Sequence, residues 1–357
     1  MESVTGPPPK RFTEARIVSQ HSMLYTDGIV SQDLDRPKFV RAASSIQQLD
    51  VNTFIVFQDD NNFVGIVDLS DRAKPHITSI TLPAVNNRRD FSDERKNKSD
   101  KMDTEASIRV FVDQLPLALQ TRYPQGWIVG FGSGSKAKKR REAVIVAADA
   151  QVGGKIVARV VPLPELYTLL DDTLEFSTSE LNIEGAVFLG DRVRFVSRGN
   201  GHKRDIPASD AYADVAWPDL LPYLLEERSA PLPPLAVTNV RKFDLGKLQG
   251  VKLTATDVTC FPSQFGGSRR PDFLIGVASA EDSANAAVDG QVTGSMLFTL
   301  HEDAVTHLVP LKTSDQKNYA GKVEGVVILP NSSRALLTVD MDDIHTPSLL
   351  LEVELLQ

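Results

Sequence analysis

Short apolar runs, alternating with polar residues at a two-residue period and punctuated by Gly, Asp, Asn and Pro, recur from one end of the chain to the other. That pattern predicts β-strands separated by turns. A helical period is convincing only at ELYTLLDD, from Glu165, and DLLPYLLEE, from Asp219. The expected class is therefore all-β.

Five segments repeat one plan: a polar residue, a small residue, an apolar strand, a turn, a second apolar strand and a polar loop. They read AASSIQQLDVNTFIVFQDDN from Ala42, TEASIRVFVDQLP from Thr104 with GWIVGFGSGS, IEGAVFLGDRVRFVSRGNG from Ile183, TDVTCFP from Thr256 with DFLIGVASAED, and VEGVVILPNSSRALLTVDMDD from Val323. Their leading polar residues are Ser44, Glu105, Glu184, Asp257 and Glu324, at intervals of 61, 79, 73 and 67 residues. Each interval has room for four strands, and two further strand-like runs follow in most units. The last unit ends at SLLLEVELL, whereas EARIVSQHS near the N-terminus has no unit of its own. Pairing these two runs closes a ring with only short, protected edges. The prediction is a five-bladed β-propeller of four-stranded antiparallel blades, ring closed by the N-terminal strand, as a single domain over residues 1–357. The blades cover approximately 38–83, 104–163, 182–245, 255–311 and 322–357, with strand 14–22 completing the last. The competing architecture is two β domains split near Ala230, where SAPLPPL resembles a linker.

In a propeller, a residue at the start of every innermost strand is carried to the common axis. Ser44, Glu105, Glu184, Asp257 and Glu324 would then meet, and four facing carboxylates must repel or take up protons unless a cation joins them. An all-oxygen set of this kind suits Ca²⁺, with Mg²⁺ or Mn²⁺ as alternatives, over zinc or copper. The other reading of these acids is as solvated turn residues at strand starts.

Meander topology returns each second strand to the same face, so its following loop forms a rim. The rim offers Asp59 and Asp60; Ser133, Ser135, Arg140 and Arg141 with Lys136; Arg198, Asn200 and His202; Glu281 and Asp282; and Asp342, Asp343 and His345. Asp59, Asp60 or Asp342 could act as general base, and Arg198 could bind substrate oxygens and stabilise developing charge. Ser133, Arg140, Asn200 and Glu281 complete the expected substrate contacts. Cations beside a metal suit a phosphorylated or carboxylated small molecule. Taken singly, such residues are ordinary turn formers.

The ring of Ser44, Glu105, Glu184, Asp257 and Glu324, with VEGVVIL, QDDN and FVSRGNG, resembles at blade level the five-bladed calcium-activated nucleotidases, or apyrases. That likeness implies a calcium ion in the channel with nucleoside diphosphates hydrolysed beside it. This chain departs in carrying Asp257 where the nucleotidase pattern has a hydroxyl residue, and in lacking a secretion signal. Through FGSGSKAKKRRE, LNIEGAVFLGDRVRFVSRGNG and KVEGVVILP, the whole chain also resembles a family of uncharacterised, mainly bacterial propellers, which implies a fold but no substrate.

Composition narrows these readings. Apolar residues make up 41% and charged residues 24%, ordinary for a soluble globular protein. The one cysteine, Cys260, excludes an intramolecular disulfide and fits a cytoplasmic location. No signal peptide and no stretch of about 18 apolar residues is present, so no membrane association is expected. The net charge of −8 disfavours nucleic acid as a partner. No nucleophile elbow, P-loop, HExxH helix or dinucleotide fingerprint occurs. Three functions remain open: a metal-dependent hydrolase at the channel, a non-catalytic binding or scaffold propeller with a structural calcium ion, and a biosynthetic isomerase or cyclase. Oligomeric state is not legible.

Overall fold

Turn residues cut the chain into strands that fold back on one another as meanders, and the hydrogen-bond ladders follow that division. The computed structural model describes residues 12–28, 35–136, 139–201, 204–226, 228, 231–260, 273–282, 290–301 and 304–356. After β1 (Glu14–Ser22), strands β2 (Ala43–Gln48), β3 (Thr53–Gln58), β4 (Phe63–Asp68) and β5 (His76–Thr81) form one antiparallel sheet in that order. A second contains β6 (Thr104–Val110), β7 (Trp127–Gly132), β8 (Glu142–Asp149) and β9 (Lys155–Pro162), and a third β10 (Ile183–Phe188), β11 (Arg192–Ser197), β12 (Asp210–Ala216) and β13 (Val237–Phe243). The remaining strands are β14 (Lys247–Leu248), β15 (Val251–Cys260), β16 (Phe273–Asp282), β17 (Gln291–His301), β18 (Ala304–Lys312), β19 (Lys322–Ile328), β20 (Arg334–Asp340) and β21 (Leu349–Leu356). They join β1 in a nine-stranded mixed sheet ordered β14-β15-β16-β17-β18-β1-β21-β20-β19.

The chain is thus all-β, as the alternation predicts, but it has three four-stranded sheets and one large one instead of five separate sheets. The cause is β1. It runs antiparallel to β21 from Glu14↔Leu356 to Ser22↔Leu349, as expected of the N-terminal strand. It also touches β18 in parallel at Ala15↔Leu311 and Arg16↔Lys312, and that short contact fuses two four-strand groups. The helices Pro164–Asp172 and Trp217–Leu224 fall where the helical period places them, each with a proline in its first turn. The small arm β14 is an addition: Gln249 and Gly250, with φ of 51° and 90°, form a two-residue turn with both residues left-handed.

The first strands β2, β6, β10, β15 and β19 lie side by side in a closed cycle, each against the next and β19 against β2. Because a neighbour covers each face, every residue of β10 and β19 is buried. The apolar core is divided accordingly into clusters shared by consecutive strand groups, for example Phe57 and Ile55 with Ile128 and Val144, or Val187 and Val196 with Val258 and Leu274. Close approach constrains the packing: a Cβ on Gly130 would lie 2.6 Å from the ring of Phe57. Glycine leaves the notch that this ring fills, and burying such a ring contributes about 1.5–3 kcal/mol. No helix among the described residues is long and apolar enough to cross a membrane.

Candidate functional site

A β-bulge interrupts each of the five first strands at the same point. The ladder skips Ser44 in β2, Glu105 in β6, Glu184 in β10, Thr256 in β15 and Glu324 in β19. An unpaired bulge residue is freed from the pleat and can be re-aimed. In four strands the bulge residue is the one expected at the axis; in β15 it is Thr256 instead of Asp257.

This one-residue difference changes what Asp257 does. Its Oδ1 accepts the Val258 N–H at 2.8 Å and its Oδ2 the Val326 N–H at 3.0 Å, so the carboxylate bolts β15 to β19 and does not line the axial cavity. Burial pushes this carboxyl well above its usual range, with the two N–H donors opposing. Thr256 instead matches Ser44. Thr256 Oγ1 donates to Val323 O at 2.7 Å and Ser44 Oγ donates to Thr104 O at 2.6 Å, each hydroxyl lacing its strand to the residue before the next bulge.

The three glutamates converge. Ligand atoms of Glu105, Glu184 and Glu324 all lie within 4.8 Å of one another, on the wall of a cavity of about 230 Å³. Burial drives the Glu105 carboxyl well above its usual range, helped by the charges of Asp59, Glu184 and Asp103. Burial likewise pushes Glu324 up to about 8 and raises Glu184, although Arg198 and Lys322 oppose both shifts. Glu324 Oε1 is buried without a hydrogen bond, at 3.3 Å from the Lys322 ammonium. Three carboxyls so placed gain either by holding protons or by sharing a cation.

Around them runs a lattice of ion pairs. Arg198 donates from Nε to Thr254 Oγ1 and from Nη2 to Glu281 Oε2, both at 2.8 Å, and its Nη1 stands 3.6 Å from Glu184. Lys322 bridges Glu324 at 3.3 Å, Asp342 at 3.1 Å and Glu281 at 3.7 Å. In a second group Lys101 holds Asp59, Asp60 and Asp103, and Arg140 adds a further bond to Asp103 at 2.7 Å. Between these two groups, the Glu105 carboxylate makes no hydrogen bond or ion pair among the described residues.

The rim residues divide by position. Asp59, Arg140, Arg198, Asn200 and Glu281 line the cavity. Asp59 keeps Oδ1 buried and unpartnered, and burial with the neighbouring Asp60 charge raises its carboxyl to about 6. Asn200 accepts from Asn182 at 3.3 Å. Asp60, Ser133 and Asp342 are not on the cavity wall. Asp60 is tied to Lys101 and Arg41, Ser133 donates to Asp103, and Asp342 is an exposed rim residue held by Lys322. Arg141 turns away to Asp171 at 3.2 Å, and Asp343 caps its own loop through Thr346. His202 lies outside the described residues.

Sequence reasoning overlooked Lys101, Asp103, Asn182, Lys322 and Asp340, all on the cavity wall. A signal existed for four of them. Asp103, Asn182 and Lys322 each stand two positions before a bulge residue, in the same place as Ala42 and Thr254, so the repeat itself marks this tier. Asp340 follows from the same logic, ending its second strand opposite β19 just as Asp59 and Arg198 follow theirs.

No curated protein matches the chain. Solved structures similar to it include the WD40 domain of Neurospora crassa Pan2, at 10% identity over 97% of each chain with a TM-score of 0.39. Others are a structural genomics protein of unknown function from Bacteroides thetaiotaomicron, at 8% identity over 94% of this chain and 76% of that one with a TM-score of 0.39, and the arabinanase Arb43A of Bacillus subtilis, at 10% identity over 87% and 93% with a TM-score of 0.36. A family profile matches residues 97–344, the stretch that carries Glu105, Glu184 and Glu324, and on that match the chain belongs to DUF6910, a family of unknown function.

Proposed function

We propose that this chain is a single five-bladed propeller whose axial cavity binds one divalent cation, calcium in preference to magnesium or manganese, and uses it to hydrolyse a small phosphorylated or carboxylated molecule. The five-blade reading is supported by the closed cycle of β2, β6, β10, β15 and β19, with the nine-stranded sheet taken as two blades joined through β1 and β18. A cytoplasmic location, with neither nucleic acid nor membrane as partner, is supported by the net charge of −8 and the lone cysteine.

The observation that carries cation binding is the meeting of Glu105, Glu184 and Glu324, buried and from three separate strands, with their ligand atoms within 4.8 Å of one another. Three carboxylates beside the Ser44 hydroxyl are hard oxygen donors that suit calcium. Of the five bulge residues, Ser44, Glu105, Glu184 and Glu324 line the cavity, whereas Thr256 spends its hydroxyl on Val323 O. A bound cation would polarise a ligand oxygen and acidify a coordinated water. Asp59, with a free oxygen and a carboxyl near 6, is the best-placed proton acceptor. Arg198 serves as a positioning residue for Glu184 and Glu281, and Arg140 as one for Asp103.

Calorimetric titration of chelator-treated protein with Ca²⁺ tests the reading, followed by assays on phosphate esters, nucleotides and lactones with and without chelator. Uptake of one equivalent and calcium-dependent turnover are expected; no uptake overturns the proposal. A specific observation favours a second reading, a binding propeller with a structural ion: Lys101, Arg140, Arg198 and Lys322 are all engaged in internal ion pairs. Calcium uptake that raises thermal stability, without turnover in any substrate class, would select it.

A further inference from the structure

We infer that Lys101 is a tethered cation filling the second of two adjoining cation positions, and that it thereby limits the cavity to a single diffusible divalent ion. This rests on the axial glutamates taking a cation, as proposed above. The Lys101 Nζ sits 2.6 Å from Asp59 Oδ2, 2.9 Å from Asp60 Oδ1 and 2.8 Å from Asp103 Oδ1. An ammonium has three N–H donors, and here each has a carboxylate of its own. The side chain is 5% exposed, so the charge is held away from water by design of its surroundings.

Two of the carboxylates it holds, Asp59 and Asp103, form with Glu105 a group like the axial one. Asp59, Asp103 and Glu105 bring their ligand atoms within 4.8 Å of one another, and so do Glu105, Glu184 and Glu324. Glu105 belongs to both groups. Sites that work with two divalent ions hold them about 3.5–4 Å apart. A carboxylate shared between neighbouring groups is what such a pair requires, yet the ammonium of Lys101 already neutralises two of the three carboxylates of the second group, Asp59 and Asp103. It leaves Asp59 Oδ1 without a partner while tying down Oδ2, which fixes which Asp59 oxygen the cavity receives. Lys101 is therefore a specificity-determining residue for metal number and a positioning residue for Asp59.

The test uses the full chain, Mn²⁺ as probe, and a count of bound equivalents with electron paramagnetic resonance. Lys101→Met vacates the position while keeping the length of the side chain. Because Asp59, Asp60 and Asp103 then face one another without a counter-charge, Lys101→Met/Asp60→Asn is made in parallel; Asp60 lies outside the three-carboxylate group, and its loss relieves repulsion. The native chain should bind one Mn²⁺ with an isolated-ion spectrum. Both variants should bind two, with the broadened spectrum of a spin-coupled pair. A folded variant that binds one, like the native chain, overturns the assignment of Lys101 alone. A native chain that binds none, beside a variant that binds one, removes the axial reading and leaves Lys101 as the occupant of its own position. No binding by either removes both.

Discussion

Thr256 and Asp257 are adjacent, and the ladder allows only one of them to be the bulge residue. Asp257→Asn replaces one acceptor oxygen by an NH₂ group facing a backbone N–H, so it should lower stability by about 1–3 kcal/mol and leave Ca²⁺ affinity unchanged. Glu324→Gln should do the reverse, weakening Ca²⁺ by more than about tenfold through loss of a charged ligand, with little change in stability measured without metal. Urea denaturation and calcium titration of both variants check the pair; a fall in affinity for Asp257→Asn would return that residue to the axis. A different buried acid reports on pH. Asp210 accepts the Gly199 N–H at 2.7 Å through Oδ1, its Oδ2 has no partner, and burial pushes its carboxyl up to about 7. The folded chain therefore keeps this proton to higher pH than the unfolded chain, whose carboxyl titrates near about 3.9. Its contribution to stability is whole below about pH 4, falls as pH rises towards about 7, and is level above that. The gap corresponds to at most about 4 kcal/mol. Asp210→Asn should thus be more stable than the native chain at pH 8 by about 1–2 kcal/mol and no more stable at pH 4, since its own amide lacks a full set of partners. Denaturation midpoints at the two pH values check this; equal differences at both would show that Asp210 does not titrate as stated.

At the scale of elements, the repeat was legible because strand alternation and turn residues are local properties of the chain. The four-strand groups, the role of Glu14–Ser22 as partner of the last strand, and the helices at Pro164 and Trp217 all follow from such local pattern. What stayed hidden was decided by pairing across strands. Thr-Asp in β15 offers two consecutive polar residues, and nothing in the dipeptide says that Ala255 opposes Ala278 while Asp257 opposes Val277. A slip of one residue exchanges the faces, so register had to come from the ladder. The lattice of cations was hidden for a related reason. Arg198 reads as a free rim cation after a buried strand, but Glu281, far along the chain, reaches it because β16 extends to Asp282. Lys101 lay in a charged run, KNKSDK, whose appearance is that of a solvated loop, and only the fold shows it inserted between Asp59 and Asp103. Packing between elements yields its own prediction. Gly130→Val places a branched side chain where the ring of Phe57 lies and should destabilise the chain by about 1–3 kcal/mol. Combining it with Phe57→Ala should recover part of that loss, a coupling that a double-mutant cycle measures.

For the whole molecule, what matters is that the first and last described strands pair. β1 gives β21 a partner along its length and, through Ala15 and Arg16, also touches β18. Its inward residues Ala15 and Ile17 sit in the same apolar cluster as Leu337, Val353 and Leu355. Removing residues 1–22 would therefore leave β21 as an open edge of unpaired N–H and C=O groups beside an uncovered apolar surface, the combination that templates edge-to-edge association. Glu324 lies on β19, in the same strand group, so disorder entering at that edge should also reach one wall of the cavity. The truncated chain is expected to associate in light scattering, to unfold at a lower temperature, and to bind Ca²⁺ more weakly than the full chain. Adding the segment back as a peptide should restore the scattering size of the full chain and the affinity together, since an eight-residue ladder and its apolar contacts can re-form without the covalent link. A truncated chain with the scattering size and melting of the full chain would mean that β21 does not need β1, and the closure of the ring would have to be sought elsewhere.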